Sequence, residues 1–453
     1  MKRLLNRMKV NLLLEDGYSL ITVMIICQLL IILVISFITF ALITDMSNAK
    51  SVGKKRLDLL CISAVEMDKL HYLKYPKESY SIEIDSTDIL VEKRLKGLYV
   101  ETTATVKNST DSSKLRAVFG NSTVPQFVNA LTLSEPKARL AVTGTTSIIG
   151  DISFTGKKVV KGKISGIENS SANYHEGSLY TNVSLDTKIY NDSLFIMLFS
   201  NKKEGFDTTI NKLEFTFSEK NLKHLIGKKV FISGNLSIEG EIFSDYKAAG
   251  TTLVVGGKLI IKSQVESTLN LELYCDSSAT VAENANIQNC IIISKSGINI
   301  QKNCLFTNTQ LISKKNITIQ KSQFNYPADI AVYIDVSQKE LLNTSIQLNS
   351  SIINGSILLL CSTIGTNDNK SKIELNNSIV HGTVYSENYA EVTGKIIGSL
   401  YTYRLRYYKK PTEYINWMVN LNIDRSSRDN SFLYPIGFKE AGNYEILEET
   451  WIY

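Results

Sequence analysis

The sequence predicts a mainly β protein: an N-terminal transmembrane α-helix, a small α+β neck, and then a parallel β-helix, or solenoid. Three observations predict it. A stretch without a single charged residue runs from Gly17 to Thr44. β-Branched residues and asparagine crowd the second half, which favours short strands and tight turns over helices. A block of thirteen residues recurs there at an offset of nineteen, with seven identities.

The charge-free stretch is long enough, at ~1.5 Å per residue, to cross a ~30 Å hydrocarbon core as a helix. It exceeds the short apolar region of a secretory signal, so it is expected to be kept. Ser19, Thr22, Gln28, Ser36 and Thr39 lie within it and can bond back to helix carbonyls or to a neighbouring helix. Lys2, Arg3, Arg7 and Lys9 precede the span and Lys50, Lys54, Lys55 and Arg56 follow it, so the charge rule alone sets no orientation.

A short basic leader that ends in glycine, then an aromatic residue, then at once the apolar run "YSLITVMI", resembles the amino terminus of type IV prepilins and of the pseudopilins of type II secretion. The resemblance covers about the first 45 residues. It implies cleavage by a prepilin peptidase between Gly17 and Tyr18, retention of the helix from Tyr18 to Thr44, and packing of that helix among other pilin-like subunits. Two positions depart from the family. Its fifth mature residue is normally glutamate, and the matching residue is Thr22. A carboxylate in the bilayer is costly without a partner, so its loss suits a minor or tip-type subunit with no neighbour above it. Glu15 and Asp16 also stand where basic residues are commoner. A simple membrane anchor is the alternative reading of the same stretch.

Beyond the span, Leu57, Leu60, Ala64, Met67 and Leu70 recur at three-four spacing and predict one apolar stripe on a stalk helix that Pro76 terminates. "SYSIEIDS", "LYVETTATVK" and "KLRAVFG" then read as strands of a small neck, pilin-like if the resemblance holds.

The repeat pairs "IISKSGINIQKNC" from Ile292 with "LISKKNITIQKSQ" from Leu311. Isoleucines alternate with polar residues in both copies, and strands at a fixed short period stack into a solenoid that buries one face of each. Echoes at "SIINGSILL", "SIVHGTVYS" and "GKIIGSLYT", and a Gly-punctuated stretch near Val142, extend it over 139–400 with an insertion near 165–230. An irregular β-sandwich is the competing architecture. "YTYRLRYYKK" reads as a half-buried strand, and "YINWMVNLNIDR" and "SFLYPIGF" as a cap over the last turn. The division is thus leader 1–17, transmembrane and stalk helix 18–76, neck 77–138, solenoid 139–400 and C-terminal cap 401–453.

No catalytic, cofactor or metal site is expected. The net charge of +6 comes from 50 basic and 44 acidic residues spread along the chain, which outlines no nucleic-acid footprint. The four histidines are scattered and no Cys-x-x-Cys occurs, so zinc spacing is absent. Parallel β-helices include polysaccharide hydrolases and lyases, which need carboxylates from neighbouring turns. Asp329 and Asp335 are the best acidic candidates, but six apart on one strand they do not face each other. His175 with Glu176, and His381, lack partners that spacing identifies. Cys275, Cys290 and Cys304 are spaced fifteen and fourteen apart and miss the nineteen-residue period, so stacked disulfides are not expected.

The chain is therefore expected to be a structural or adhesive single-pass protein of a bacterial inner membrane. Its C-terminal domain would lie in the periplasm or at the cell surface, with pilin-like subunits and a prepilin peptidase as partners. An anchored polysaccharide-binding or polysaccharide-degrading β-helix and a self-polymerising β-helical scaffold are the alternatives.

Overall fold

The computed structural model describes residues 2–71, 79–109, 111–168, 173–200, 205–242, 250–366 and 368–452, and the side chains of all of these except 2–22, 70–71, 200 and 221–223. A single helix, Lys2–His71, runs unbroken through the position of Gly17 and through Gly53. Its side chains from Val23 to Met46 face outward with nothing packed on them, Phe37 and Phe40 being 66% and 70% exposed. Ser36 and Thr39 donate to the carbonyls of Ile32 and Ile35, both at 2.8 Å, so these hydroxyls are satisfied within the helix, as expected of polar groups in an apolar segment. The expected helix end at Pro76 lies outside the described residues.

The stalk end of the helix packs on a five-stranded antiparallel sheet. Tyr80–Ile84, Thr87–Lys96, Tyr99–Lys107 and Ser112–Thr123 follow one another in it, and Gly442–Trp451 returns from the far end of the chain to complete it. Asp85 and Ser86, both at positive φ, make the tight turn of the first hairpin, and Gly97 that of the second. Leu57, Leu60, Cys61, Ala64 and Val65 share one core with Ile89, Val91, Ala104, Leu115 and Ala117. The stripe thus holds as far as Ala64 and then turns. Met67 is exposed, and the buried position belongs to Asp68, whose carboxylate meets Lys93 at 2.6 Å, Thr102 at 2.8 Å and the Tyr80 hydroxyl. One helical turn beyond Ala64 and Val65, the seam passes from apolar packing to a buried ion pair.

The rest of the chain is a parallel, three-faced solenoid with its own core of stacked Ile, Leu, Val and Phe. The nineteen-residue repeat is its register: Ile292 lies on Leu311, Ile298 on Ile317 and Ile300 on Ile319. Phe306 and Phe324 stack inside at 4.3 Å. Cys275 lies on Ser294 and Cys290 on Thr309, and all six cysteines are free thiols. The glycines of the three echo segments form a column. Gly355 pairs with Gly382, and a Cβ on Gly398 would lie 1.8 Å from the Gly382 carbonyl. Backbones meet there at a distance only glycine permits.

The order of coils is not the order of the chain. Leu400, Tyr401 and Thr402 pair in parallel with Leu131, Thr132 and Leu133, which pair in turn with Ile152, Ser153 and Phe154. The strands from Leu131–Leu133 to Leu179–Tyr180 therefore stack beyond the C-terminal coils, and the solenoid begins again at the other end of the stack with Thr208–Ile210. The solenoid accordingly starts at Leu131, and the segment grouped above as a cap is divided. Trp417–Val419 and Asn422–Asp424 lie within the stack, between the coils of Ile396 and of Val142 and Ile148. Phe432, Tyr434, Ile436 and Phe438 fill the seam between solenoid and neck, and Gly442–Trp451 belongs to the neck sheet. The last turn needs no cap because the first coils cover its edge.

Candidate functional site

The apolar helix and the seam that fixes it to the solenoid make up the first candidate region. Among the described residues, one helix is long and apolar enough to cross a membrane, Val23–Lys69. Gly17, Tyr18 and Thr22 fall on the helical backbone before it, and their side chains lie outside those described.

The seam makes neck and solenoid one body. Arg94 on the neck reaches Glu101 of its own sheet at 2.6 Å and Glu272 of the solenoid at 2.8 Å, and both carboxylates are almost wholly buried. Burial alone would raise the Glu101 pKa, but Arg94, Arg116 and Lys96 hold it below the usual carboxylate range. Gln310 of the solenoid accepts from the Leu98 amide at 2.7 Å and donates to the Lys96 carbonyl at 3.2 Å. Bidentate backbone pairing of this kind fixes orientation as well as distance. Around it, Phe127 stacks on Tyr434 at 5.3 Å and meets Tyr385, Tyr401 and Phe438 edge-on.

Two buried carboxyls belong to this seam. Asp329 accepts the Ser356 amide at 3.1 Å beneath Tyr99, and burial pushes its pKa up to about 6. Glu387 accepts from the Cys361 amide at 2.7 Å and the Tyr385 hydroxyl at 2.8 Å, and burial pushes it up to about 8 against the pull of Lys188 at 3.8 Å. Of the sequence candidates, Asp329 is therefore sealed under the neck, whereas Asp335 sits half-buried in a turn and accepts from Ser337 and Gln338. The structure does not bring the two together. His175 lies on an end coil beside Ile148, where its Nε2 donates to the Gly150 carbonyl at 3.0 Å. Among the described residues no group of three His, Cys, Asp or Glu side chains could share a metal ion.

His381 has a setting that spacing did not reveal. It lies beside Asn354 of the adjacent coil, and the strap from Ser427 to Phe432 arches over both, enclosing an open cavity of about 250 Å³ with Tyr326, Arg428 and Asp429. The Gly382 column makes room for it, since a Cβ there would meet the Phe432 ring at 2.7 Å. Nothing in the spacing of these residues could have found the site, because four distant segments form it.

No family model matches the chain, and no curated protein matches it significantly. Solved structures that resemble it remotely include the following two. An ice binding protein from an Antarctic Flavobacteriaceae bacterium aligns at 9% identity over 66% of this chain and 97% of its own, with a TM-score of 0.18. The competence-associated pilin ComZ from Thermus thermophilus aligns at 7% identity over 83% of this chain and 86% of its own, with a TM-score of 0.22. Likenesses at these scores carry no functional conclusion.

Proposed function

We propose that this chain is a single-pass, membrane-anchored envelope protein that works as a minor or tip-type pilin-like subunit and holds a rigid β-solenoid outside the inner membrane. The observation that carries the reading is the continuous helix Lys2–His71, bare and apolar over its first part and packed on an antiparallel sheet over its last. A helix that leaves its apolar side chains uncovered in water would expose far more apolar surface than a soluble monomer tolerates. A bilayer or the core of a filament removes that surface from water. The prepilin-like junction at Gly17 and Tyr18 and the threonine at Thr22 favour the filament-associated form of this anchor.

The role is structural or adhesive and not catalytic. Support comes from the acidic candidates: Asp329 is enclosed by the neck and Asp335 is used by its own turn. The seam of Arg94, Glu272 and Gln310 gives the anchor a fixed relation to the solenoid, which suits a subunit that must present a surface in a defined direction.

The test is fractionation and topology in intact cells. The protein should stay with membranes through an alkaline carbonate wash. Cysteines introduced at exposed Ser337 and Ser426 should react with a membrane-impermeant maleimide once the outer barrier is opened and while the inner membrane is intact. Release by carbonate, or labelling only after the inner membrane is lysed, would overturn the reading.

A further inference from the structure

We propose that the cavity at the corner of the solenoid, under the strap from Ser427 to Phe432, binds a sugar ring that carries a carboxylate. The inference is independent of how the chain is anchored, since every group in it belongs to the solenoid and its strap.

The shape comes first. A cavity of about 250 Å³ falls just below the ~300 Å³ at which sites for drug-sized ligands begin, so it suits a single ring. Phe432 and Tyr326 form an aromatic corner, with ring centres 5.6 Å apart and planes inclined at 48°. The Tyr326 hydroxyl accepts from the Leu433 amide at 2.8 Å, which fixes the ring before any ligand arrives. Asn354 and His381 present an amide and an imidazole from neighbouring coils, at strand separation and on the same wall. Aromatic faces with amide, imidazole and carboxylate edges are what a ring with several hydroxyls needs: apolar contact for its C–H face and both donors and acceptors around its rim.

The charge specifies the acid. Arg428 is half-buried, its guanidinium lying 5.5 Å from the Phe432 ring centre and 5.0 Å from that of Tyr434. It donates to the Tyr434 hydroxyl, but its Nε–H is buried without a partner. No ion pair among the described residues includes Arg428 or Arg425, and the Arg425 side chain donates from its Nε to the Phe127 carbonyl at 3.1 Å. The strap's own carboxylates do not answer these arginines. Asp424 accepts from Ser426 and Ser427, and Asp429 accepts both the amide and the hydroxyl of Ser431. Burial, then Arg425, pushes the Arg428 pKa down to about 10, the direction a guanidinium takes when it lacks a counter-charge. A carboxylate on the ligand supplies the guanidinium with the counter-charge it lacks. Asp429, at the rim, is then left to accept from ring hydroxyls.

The experiment is calorimetric titration of the full chain in detergent with D-glucuronate, glucose and acetate. Glucuronate should bind at one site with a Kd on the order of millimolar, about tenfold or more tighter than either glucose or acetate. Added salt should weaken it. Arg428→Gln should lose about tenfold or more of the affinity and remove the preference over glucose. Because Arg428 also packs on Tyr434, Asn354→Ala and His381→Ala, at half-buried and exposed positions, serve as variants whose unfolding midpoint should not move but whose affinity should fall severalfold. Tighter binding of a glucuronate-containing oligosaccharide than of the monosaccharide would identify a polymer as the source, and equal binding a free sugar; both support the site. Equal binding of glucose and glucuronate, or an affinity indifferent to all three substitutions, would overturn it.

Discussion

Glu387 is a carboxyl that the fold keeps out of water, and its protonation ties stability to pH. Its pKa in the folded protein, about 8, stands above the ordinary 4.5. The folded chain therefore keeps a proton that the unfolded chain releases, so the contribution of this group is complete below the ordinary pKa and is lost as pH rises through the folded one. Asp329 acts in the same direction between 3.8 and about 6. Stability should accordingly decline from about pH 5 to about pH 8, by at most a few kcal/mol. Glu387→Gln should flatten the upper part of that decline in urea unfolding followed across pH, and an unchanged slope would contradict the assignment. None of this was legible in the sequence. Glu387 stands in "VYSENYAEV" like any surface glutamate, and it is buried beside Cys361 and Tyr385 where Lys188 and Ile189, distant in sequence, fold over its coil. Asp329, an acidic candidate for chemistry by sequence, is a seam residue because Tyr99 of the neck closes over it.

Among the elements, those set by local pattern were the most legible. The apolar stretch, the stalk and the nineteen-residue repeat each depend on residues close in sequence, and the register of Ile292 on Leu311 follows directly from the repeated block. The stalk stripe departed from expectation at Met67, because the buried position was taken by a charged residue, Asp68, whose partner Lys93 lies on a strand that sequence spacing cannot place beside it. The glycines of the echo segments carried more information than their spacing suggested. Gly382, at φ +148°, lies 2.1 Å, measured from a constructed Cβ, from the Gly355 carbonyl. Gly382→Ala should therefore lower stability by more than ~2 kcal/mol, through both the backbone conformation and the clash. Thermal or urea unfolding of the variant measures it, and a loss below ~0.5 kcal/mol would mean that the coils are not packed as closely as described.

At the scale of the molecule, the solenoid is assembled out of order, and here the sequence was silent. The contact of Leu400 with Leu131 joins segments that share no repeat, so neither composition nor periodicity points to it. The cap assigned to 401–453 followed from the assumption that the last turn in sequence is the last in space. The interleaving has a mechanical consequence. The coils from Leu131–Leu133 to Leu179–Tyr180 stack on one another and are joined to the rest of the solenoid through the C-terminal coils, and the neck sheet lacks its fifth strand without Gly442–Trp451. Neck and solenoid should open as one cooperative unit. Native-state hydrogen exchange should give Leu131–Leu133, Leu400–Thr402 and Gly442–Trp451 the same opening free energy, whereas loss of protection in the first of these well before the others would show that the early coils are a separate unit. A body so closed on itself and fixed to one end of a long bare helix is suited to being carried, not to changing shape.

The central claim is that this helix is the retained helix of a prepilin-like precursor, and the N-terminal sequence and intact mass of the protein from its native envelope test it most directly. The account predicts a chain that begins at Tyr18, keeps the apolar helix, and retains its leader in cells without an active prepilin peptidase. A mature chain that begins at Met1 whether or not that peptidase is active would contradict it and leave a plain membrane anchor beneath the solenoid.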